Sequence, residues 1–478
     1  MISYNINIIY LADMSIINTE IFKAYDIRGV YPEEINEETA RKIGLAFAKF
    51  TKAKNILIAE DGRTSSPALR KALIEGIRAK GNIVLAGRAT TPMFYFAAAN
   101  TKNIGAGIMV TASHNPAKYN GFKMVWGDAM PIEPKELIPL MTDCESMAKD
   151  RGRGKNKIKK IGVRDAYVKK LLSLVDAKKI KPQRIVIDAG NGMAGGILPK
   201  ILKRLPQIKT IPLFFKVDMT FPNHEANPLK EETLDALKKK VLENKADLGV
   251  AYDGDADRVG FVDEKGETVR ADFVFAALAP ALLAQYPKSK LLYDLRCSKI
   301  IPEEIERLGG KSAMTRVGHA FIKKQLREEK AVAAAELSSH FYFKNFFGVE
   351  CADLVLLYLL SEISRQNKPL SRIVAPFKKY CQSGEINFEV KDKEKMLADL
   401  KNKYLPVASN FTHIDGIRFE FKEGCHSTNP RQSLCNWWWF SVRVSNTEPL
   451  LRLNLEASNK KLLSAKLDEV REILESNR

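Results

Sequence analysis

A short apolar run that closes on an acidic residue, followed by a loop, a helix-like stretch and often a further strand, occurs three times along this chain. The first copy runs from Asn55-Ile56-Leu57-Ile58-Ala59 through Glu60-Asp61-Gly62-Arg63 and a helix-like 67–78 to Asn82-Ile83-Val84-Leu85. The second runs from Arg184-Ile185-Val186-Ile187 through Asp188-Ala189-Gly190-Asn191-Gly192 into a helix reaching Leu205. The third runs from Leu291-Leu292-Tyr293 through Asp294-Leu295-Arg296 into a helix over 302–308. Strands alternating with helices predict parallel α/β units, and three copies predict three similar domains in series. At roughly 100–200 residues per domain, 478 residues hold three or four domains, each able to bury a core. From about Tyr380 the pattern changes: Glu385-Ile386-Asn387-Phe388-Glu389-Val390 and Gly416-Ile417-Arg418-Phe419-Glu420-Phe421 alternate as half-buried strands do. Trp438-Trp439-Phe440-Ser441-Val442-Arg443 reads as another strand and 460–476 as a closing helix, which predicts a smaller α+β domain. The expected division is an extension over 1–18, then domains over 19–161, 162–266, 267–378 and 379–478. In open α/β sheets ligands bind beyond the carboxyl ends of the strands, so chemistry is expected in the loops that follow these strands.

Three aspartates alternate in AYDGDADRVGFV, at Asp253, Asp255 and Asp257, with Arg258 behind them. Side chains at i, i+2 and i+4 of an extended segment point the same way, so the carboxylates crowd one another. A hard divalent cation with oxygen ligands relieves that repulsion, and Mg²⁺ usually keeps open positions for water or phosphate oxygens. The nearest rival is a calcium loop, for which Glu264 falls at position 12; but Arg258 stands at position 6, where the sharp turn needs glycine. The flanks also read as strands, 248–252 entering and 259–262 leaving, where a calcium hand needs helices. A solvated acidic turn is the remaining alternative.

Four other segments carry candidate chemistry. Thr111-Ala112-Ser113-His114-Asn115-Pro116 follows an apolar run and reads as a sharp loop presenting Ser113 at a strand's end. The G-x-S-x-G elbow of a hydrolase is absent, and a serine carrying a phosphoryl group fits better beside three aspartates; an ordinary turn is the alternative. Arg443-Val444-Ser445-Asn446-Thr447-Glu448-Pro449 offers an arginine, hydroxyls and backbone donors suited to a phosphate monoester, or else a capped strand-to-helix turn. In Ala335-Glu336-Leu337-Ser338-Ser339-His340, Glu336 and Ser338 share a face and suit adjacent sugar hydroxyls, although a serine-capped helix start fits as well. In Arg316-Val317-Gly318-His319-Ala320, His319 is either a general acid/base or a loop histidine bonded to backbone.

Composition narrows the partners. A net charge of +19 favours acidic ones: phosphorylated small molecules, nucleic acid or an anionic membrane surface. The densest basic run, RGRGKNKIKK over 151–160, has no aromatic residue for base stacking and reads as a solvated linker. Six cysteines without a CxxC pair predict free thiols in a reducing compartment. No segment reaches the ~18–20 apolar residues a membrane helix needs, the stretch 273–284 being too short and broken by Pro280. The N-terminus has no basic n-region, so it does not read as a signal peptide; residues before about Thr19 read as an extension, with Met14 a second candidate start. A cytoplasmic protein is expected.

These segments, in this order, resemble the α-D-phosphohexomutase superfamily, in particular the bacterial-type phosphomannomutase/phosphoglucomutase group. The resemblance runs from FKAYDIRG (22–29) to the final helix. TASHNP matches that family's phosphoserine loop, DGDADR its metal loop, ELSSH its sugar-binding loop and RVSNTEP its phosphate-binding loop. It implies three similar mixed-sheet α/β domains plus a smaller C-terminal α+β lid domain around a central cleft. It also implies that phospho-Ser113 donates its phosphoryl group to a hexose 1- or 6-phosphate. The bisphosphate then turns around in the site, and Ser113 takes back the other phosphoryl group. By position, Ser113, Asp253, Asp255 and Asp257 would hold Mg²⁺, and Arg28, Lys123 and Arg258 would surround the transferring group. His319 and His340 would be acid/base candidates, and Glu336 and Ser338 would hold ring hydroxyls. Arg443, Ser445, Asn446 and Thr447 would clamp the distal phosphate, while Tyr25 and Arg296 would line the cleft. Hexose 1,6-bisphosphate would be the activator and a phosphorylated hexose the partner, with no nucleic acid or membrane, and a monomer or dimer as the assembly. Asn446 favours mannose and glucose phosphates, because phosphoglucosamine mutases, the alternative, usually have glycine there. A non-catalytic anion-binding protein and a Mg²⁺-dependent phosphatase are further alternatives. Ala335 and Ser339 depart from the pattern where glycines are common, Arg296 stands where a lysine often contacts substrate, and EGCHSTNPRQSLCN (423–436) reads as an inserted surface loop.

Overall fold

The computed structural model describes residues 18–141, 156–423, 436–444 and 450–475. The extension before Asn18, the first half of the basic run, the core of the insertion, and Ser445, Asn446 and Thr447 lie outside the described residues.

Four sheets follow one another along the chain, and the first three share one wiring. In the first, β2 (Asn55–Glu60) lies between β3 (Asn82–Arg88) and β4 (Ala106–Val110), parallel to both. β5 (Tyr119–Trp126) returns antiparallel to β4 and pairs with the edge strand β1 (Ile27–Val30), while β6 (Ile158–Lys160) extends the other side. In the second, β7 (Gln183–Asp188) lies between β8 (Ile208–Leu213) and β9 (Leu248–Tyr252), again parallel to both. β10 (Val259–Val262) returns antiparallel to β9, with β11 (Thr268–Val269) at the edge. In the third, β12 (Lys290–Asp294) lies between β13 (Lys311–Thr315) and β14 (Ala333–Ala335), and β15 (Phe341–Phe343) and β16 (Val349–Glu350) complete the sheet antiparallel. The sheets are therefore mixed: helices make the parallel crossovers, and a hairpin follows the third parallel strand.

The repeated acidic residue that marks the pattern has a structural role. Asp61, Asp188 and Asp294 are all buried, and each carboxylate accepts from the backbone N–H two residues on: Arg63 at 3.0 Å, Gly190 at 2.7 Å and Arg296 at 2.7 Å. This local turn stops each central strand at the same point.

Three helices carry apolar residues round their whole circumference: Thr91–Asn100, Ala271–Gln285 and Ala352–Gln366. Such helices have no face for water and must lie inside. Their side chains join those of all three α/β domains in one continuous core. The Pro280-bearing segment is thus an internal helix, and among the described residues no helix is long and apolar enough to cross a membrane.

The fourth sheet is antiparallel throughout, in the order β17 (Cys381–Glu389), β21 (Leu450–Ala457), β20 (Asn436–Val444), β19 (Ile417–Glu423) and β18 (Asn410–Thr412). Helices Lys393–Tyr404 and Lys460–Glu475 close a separate core in which Phe421 stacks on Trp438 at 4.0 Å. Domain 4 meets domain 3 through polar groups. Glu456 accepts from Ser298 Oγ and from Lys299 N (2.8 Å), Arg418 donates to the Leu295 carbonyl, and Val317 N donates to Asp415 (3.3 Å). An independent core behind a polar interface is the construction expected of a domain that moves as a body.

Candidate active site

The chemistry-bearing motifs lie at equivalent places. TASHNP fills the β4–β5 hairpin, DGDADR the β9–β10 hairpin and ELSSH the β14–β15 hairpin. The segment RVSNTEP runs from the end of β20 to just before β21, its antiparallel neighbour, so two strands and not a strand and a helix flank it. ELSSH likewise links two strands, which removes the helix-start alternative. The loops after the first strands, where chemistry was expected, mainly support the hairpins, while Arg296 reaches Glu385 of domain 4.

Each of the three described hairpins holds one non-glycine residue in the left-handed region: Ser113 at φ +51°, Ala256 at +62° and Ser339 at +67°. This conformation favours glycine and costs an L-residue about 1 kcal/mol. Glycine, which the resemblance leads one to expect at Ser339, would adopt it without that cost. Ala335, the other departure, is an ordinary residue of β14.

Ser113 is buried. Its Oγ donates to Asp253 Oδ2 (2.8 Å), a contact across domains 1 and 2. Its loop is held by Arg63, which sequence reasoning left without a role. Arg63 Nη2 donates to the carbonyls of Ser113 (2.9 Å) and Asn115 (2.6 Å), and Nη1 to those of Pro116 (2.8 Å) and Tyr119 (3.0 Å). Asp61 balances the guanidinium at 3.2 Å, with both side chains fully buried. Arg28, from β1, donates to the Ala112 carbonyl (2.8 Å) and Asn115 Oδ1 (2.6 Å).

Asp253, Asp255 and Asp257 are buried, with carboxylate oxygens within 4.8 Å of one another. Asp253 Oδ1 accepts from the N–H groups of Asp257 (3.0 Å) and Arg258 (3.1 Å), which folds the loop over its own carboxylate. Thr91, at the start of the central helix, donates to Asp255 Oδ2 (2.7 Å). Lys123 bridges Asp255 (2.9 Å) and Asp257. Burial alone would lower the pKa of this lysine, but Asp255 and Asp257 outweigh it and hold the ammonium charged. Burial, then Asp257 and Asp255, push Asp253 well above the carboxylate range, the signature of too much negative charge in one place. Asp255 Oδ1 is buried with no hydrogen-bond donor, and Asp257 Oδ1 faces only the His340 ring, at 3.3 Å. Three crowded carboxylates, with lone pairs left over, fit a divalent cation.

The sugar-loop residues form a second cluster. His340 lies between two carboxylates, with Nδ1 2.8 Å from Glu336 and Nε2 3.3 Å from Asp257. Burial would lower its pKa, yet Asp257 and Glu336 push it up to about 9. The charged ring donates at both nitrogens, so the 3.2 Å approach of Arg258 Nε to Nε2 is a contact between cations and not a hydrogen bond. Glu336 also accepts from Gly318 N (2.8 Å) and Tyr342 OH (2.9 Å), while Ser338 Oγ stands 3.4 Å away. Tyr25 reaches across from domain 1, donating to the Val317 carbonyl (3.4 Å) and meeting the His319 ring edge-on at 5.3 Å.

Toward domain 4, Glu385 gathers three arginines that the sequence does not link. It accepts from Arg443 Nη2 (3.2 Å), Arg452 Nη1 (3.1 Å) and Arg296 Nη1 (3.5 Å). Asp294 grips Arg296 from behind through Nη2 (2.6 Å) and Nε (3.2 Å). No local pattern separates Glu385 from the other charged residues of an alternating strand.

Comparison with known proteins matches this arrangement from end to end. Models of phosphoglucomutase/phosphomannomutase α/β/α domains I, II and III match residues 19–146, 165–266 and 270–380, and the model of the C-terminal domain matches 385–473. A phosphomannomutase of Methanocaldococcus jannaschii is 36% identical over 458 residues, covering 95% of this chain and 97% of that protein. A phosphomannomutase/phosphoglucomutase of Pseudomonas putida is 33% identical over 461 residues, covering 95% and 94%. The crystal structure of a phosphoglucomutase/phosphomannomutase family protein from Burkholderia thailandensis superposes with a TM-score of 0.84 at 30% identity, over 97% of this chain and 98% of that one. Four matched domains in order and relatives aligned along nearly their whole length place the chain in the phosphoglucomutase/phosphomannomutase family of the α-D-phosphohexomutase superfamily.

Proposed function

We propose that this protein is a hexose phosphate mutase that interconverts the 1- and 6-phosphates of mannose and glucose through a phosphorylated Ser113. The observation that carries the reading is the 2.8 Å contact between Ser113 Oγ and Asp253, with two further buried carboxylates and Lys123 beside it. Phospho-Ser113 passes its phosphoryl group to O6 of a hexose 1-phosphate, leaving a 1,6-bisphosphate and a free serine. After the bisphosphate turns around, Ser113 attacks the phosphoryl group on O1 and the hexose 6-phosphate leaves. Added hexose 1,6-bisphosphate starts the cycle by phosphorylating a bare Ser113. Asp253, Asp255 and Asp257 would hold Mg²⁺ together with the serine's phosphoryl group, and the cation supplies charge that lowers the cost of transfer.

The chain's own residues do the rest. Lys123, Arg28 and Arg258 add positive charge around the transferring group. His340, held charged between Asp257 and Glu336, donates a proton to the departing sugar oxygen. Glu336 and Ser338 bind ring hydroxyls, and Tyr25 walls the site. Arg443 and Arg296, with Ser445, Asn446 and Thr447, clamp the phosphate that is not reacting. Domain 4 closes over the bound sugar and keeps water from the phosphoserine, which separates a mutase from a phosphatase. Free Cys297, Cys351 and Cys381 support a cytoplasmic setting.

The test is an assay with Mg²⁺ and a trace of hexose 1,6-bisphosphate, offering mannose, glucose and glucosamine 1-phosphates separately and following each 6-phosphate. Turnover of the first two is expected, and turnover of glucosamine phosphate alone would overturn the sugar assignment. Asp255→Asn removes one ligand charge while keeping a partner for Thr91. The expected loss is about 100-fold in kcat, together with a higher Mg²⁺ requirement, read from a metal titration. Arg443→Ala is expected to raise KM about 10- to 100-fold for the 1-phosphate and the 6-phosphate alike, since one site serves both ends. A loss confined to one substrate would refute the shared site.

A further inference from the structure

Behind His319 lies a buried ion pair that the reaction as described does not use. Lys323 follows His319 by one turn on the helix His319–Glu328, and Glu350 comes from β16. Both side chains are 0% exposed and their charges meet at 2.7 Å. Lys323 Nζ also sits 3.8 Å over the Tyr95 ring and 3.4 Å from His319 Nδ1. A buried pair of this kind stabilises a fold no better than apolar side chains of similar size, so packing does not account for it. The contacts of the His319 ring are one-sided. Nδ1 faces the ammonium, and Glu350 Oε1, at 4.0 Å, is too far to accept a proton from it. Nε2 is buried and has no hydrogen-bond partner among the described residues.

We infer that Lys323 and Glu350 are positioning residues that fix His319 as a neutral ring protonated on Nε2, so that His319 serves the substrate as a hydrogen-bond donor and not as a base. An ammonium can only donate, which leaves Nδ1 as the acceptor and puts the single proton on Nε2. The charged groups facing the ring agree: burial, Lys323, Lys123 and His340 disfavour a second proton and outweigh Asp257 and the Glu350 carboxylate, which Lys323 neutralises. Lys323, pushed down by burial to about 8 with Glu350 resisting, still carries its proton at neutral pH. The group that receives the Nε2–H is a hydroxyl or phosphate oxygen of the hexose phosphate, a step that rests on the mutase reading.

The tautomer itself does not rest on that reading, and nitrogen NMR of the full chain with ¹⁵N-labelled histidine measures it without turnover. The expected spectrum contains a ring with bare Nδ1 and protonated Nε2 that does not titrate between pH 6 and 8, assigned by its loss in His319→Gln. A proton on Nδ1, or titration in that range, overturns the inference. In the paired variant Lys323→Met/Glu350→Gln, which leaves no unpaired charge, the expected result is a mixture of tautomers with kcat/KM about tenfold lower. An unchanged tautomer there also overturns it. In His319→Gln the amide nitrogen takes the place of Nε2–H, so the expected loss in kcat/KM is no more than about tenfold. A loss of several hundredfold or more is what removal of a general base produces, and it would refute the donor role.

Discussion

Ser113→Ala is expected to leave a folded protein with at least about 10⁴-fold lower turnover of hexose 1-phosphate, the scale of loss when the group that forms the covalent intermediate is removed. The fold survives because Asp253 loses only one of its three donors; the N–H groups of Asp257 and Arg258 remain. Removing one hydrogen bond of this type costs about 1 kcal/mol, small against the stability of a domain. Alanine also tolerates φ +51° about as well as serine, so the hairpin keeps its path. Two measurements decide. Coupled turnover should fall to background, and intact mass should lack the phosphorylated species expected of the wild type. Near-normal activity would remove Ser113 from the carrier role, whatever its contacts.

Arg63→Met is expected to lower global stability by about 3–5 kcal/mol, read as a fall in the urea midpoint, because it leaves Asp61 as an uncompensated buried charge. It also strips donors from four backbone carbonyls of the Ser113 loop, at 113, 115, 116 and 119. Without that tether the loop has less reason to hold Ser113 in the left-handed region against Asp253, so kcat should fall beyond what the unfolded fraction explains. The variant Arg63→Met/Asp61→Asn removes the stranded charge and is expected to recover part of the stability but not the kcat. Equal recovery of both would show that Arg63 acts on stability alone.

Arg63 also marks the limit of local reading. Its segment, Glu60-Asp61-Gly62-Arg63, was visible as the end of a repeat, and chemistry was expected there. The strand-end aspartate instead stops the strand, and the arginine beside it reaches 50 or more residues along the chain to hold another loop. A guanidinium folded inward over four carbonyls has the same sequence signature as one pointing into water. Lys323 and Glu350 share that property. They lie on a helix and a short strand whose own patterns are ordinary, and only the packing of one against the other makes them a pair.

What the sequence by itself determined is what short-range periodicity and turn chemistry encode. This includes the three α/β repeats, the alternating strands of the last domain, the turns at TASHNP and DGDADR, and the crowding of Asp253, Asp255 and Asp257. Tertiary structure alone decided that three of the motifs occupy the same hairpin in three copies of one sheet, and that Ser113 meets Asp253 across 140 residues of chain. It also decided that Glu385 gathers Arg296, Arg443 and Arg452 from two domains. The physical reason is the range of the forces. Backbone propensity acts over a few residues, whereas the first of these meetings depends on how three buried helices pack domains 1 to 3 into one common core, and the last on the polar contacts that seat domain 4 on domain 3.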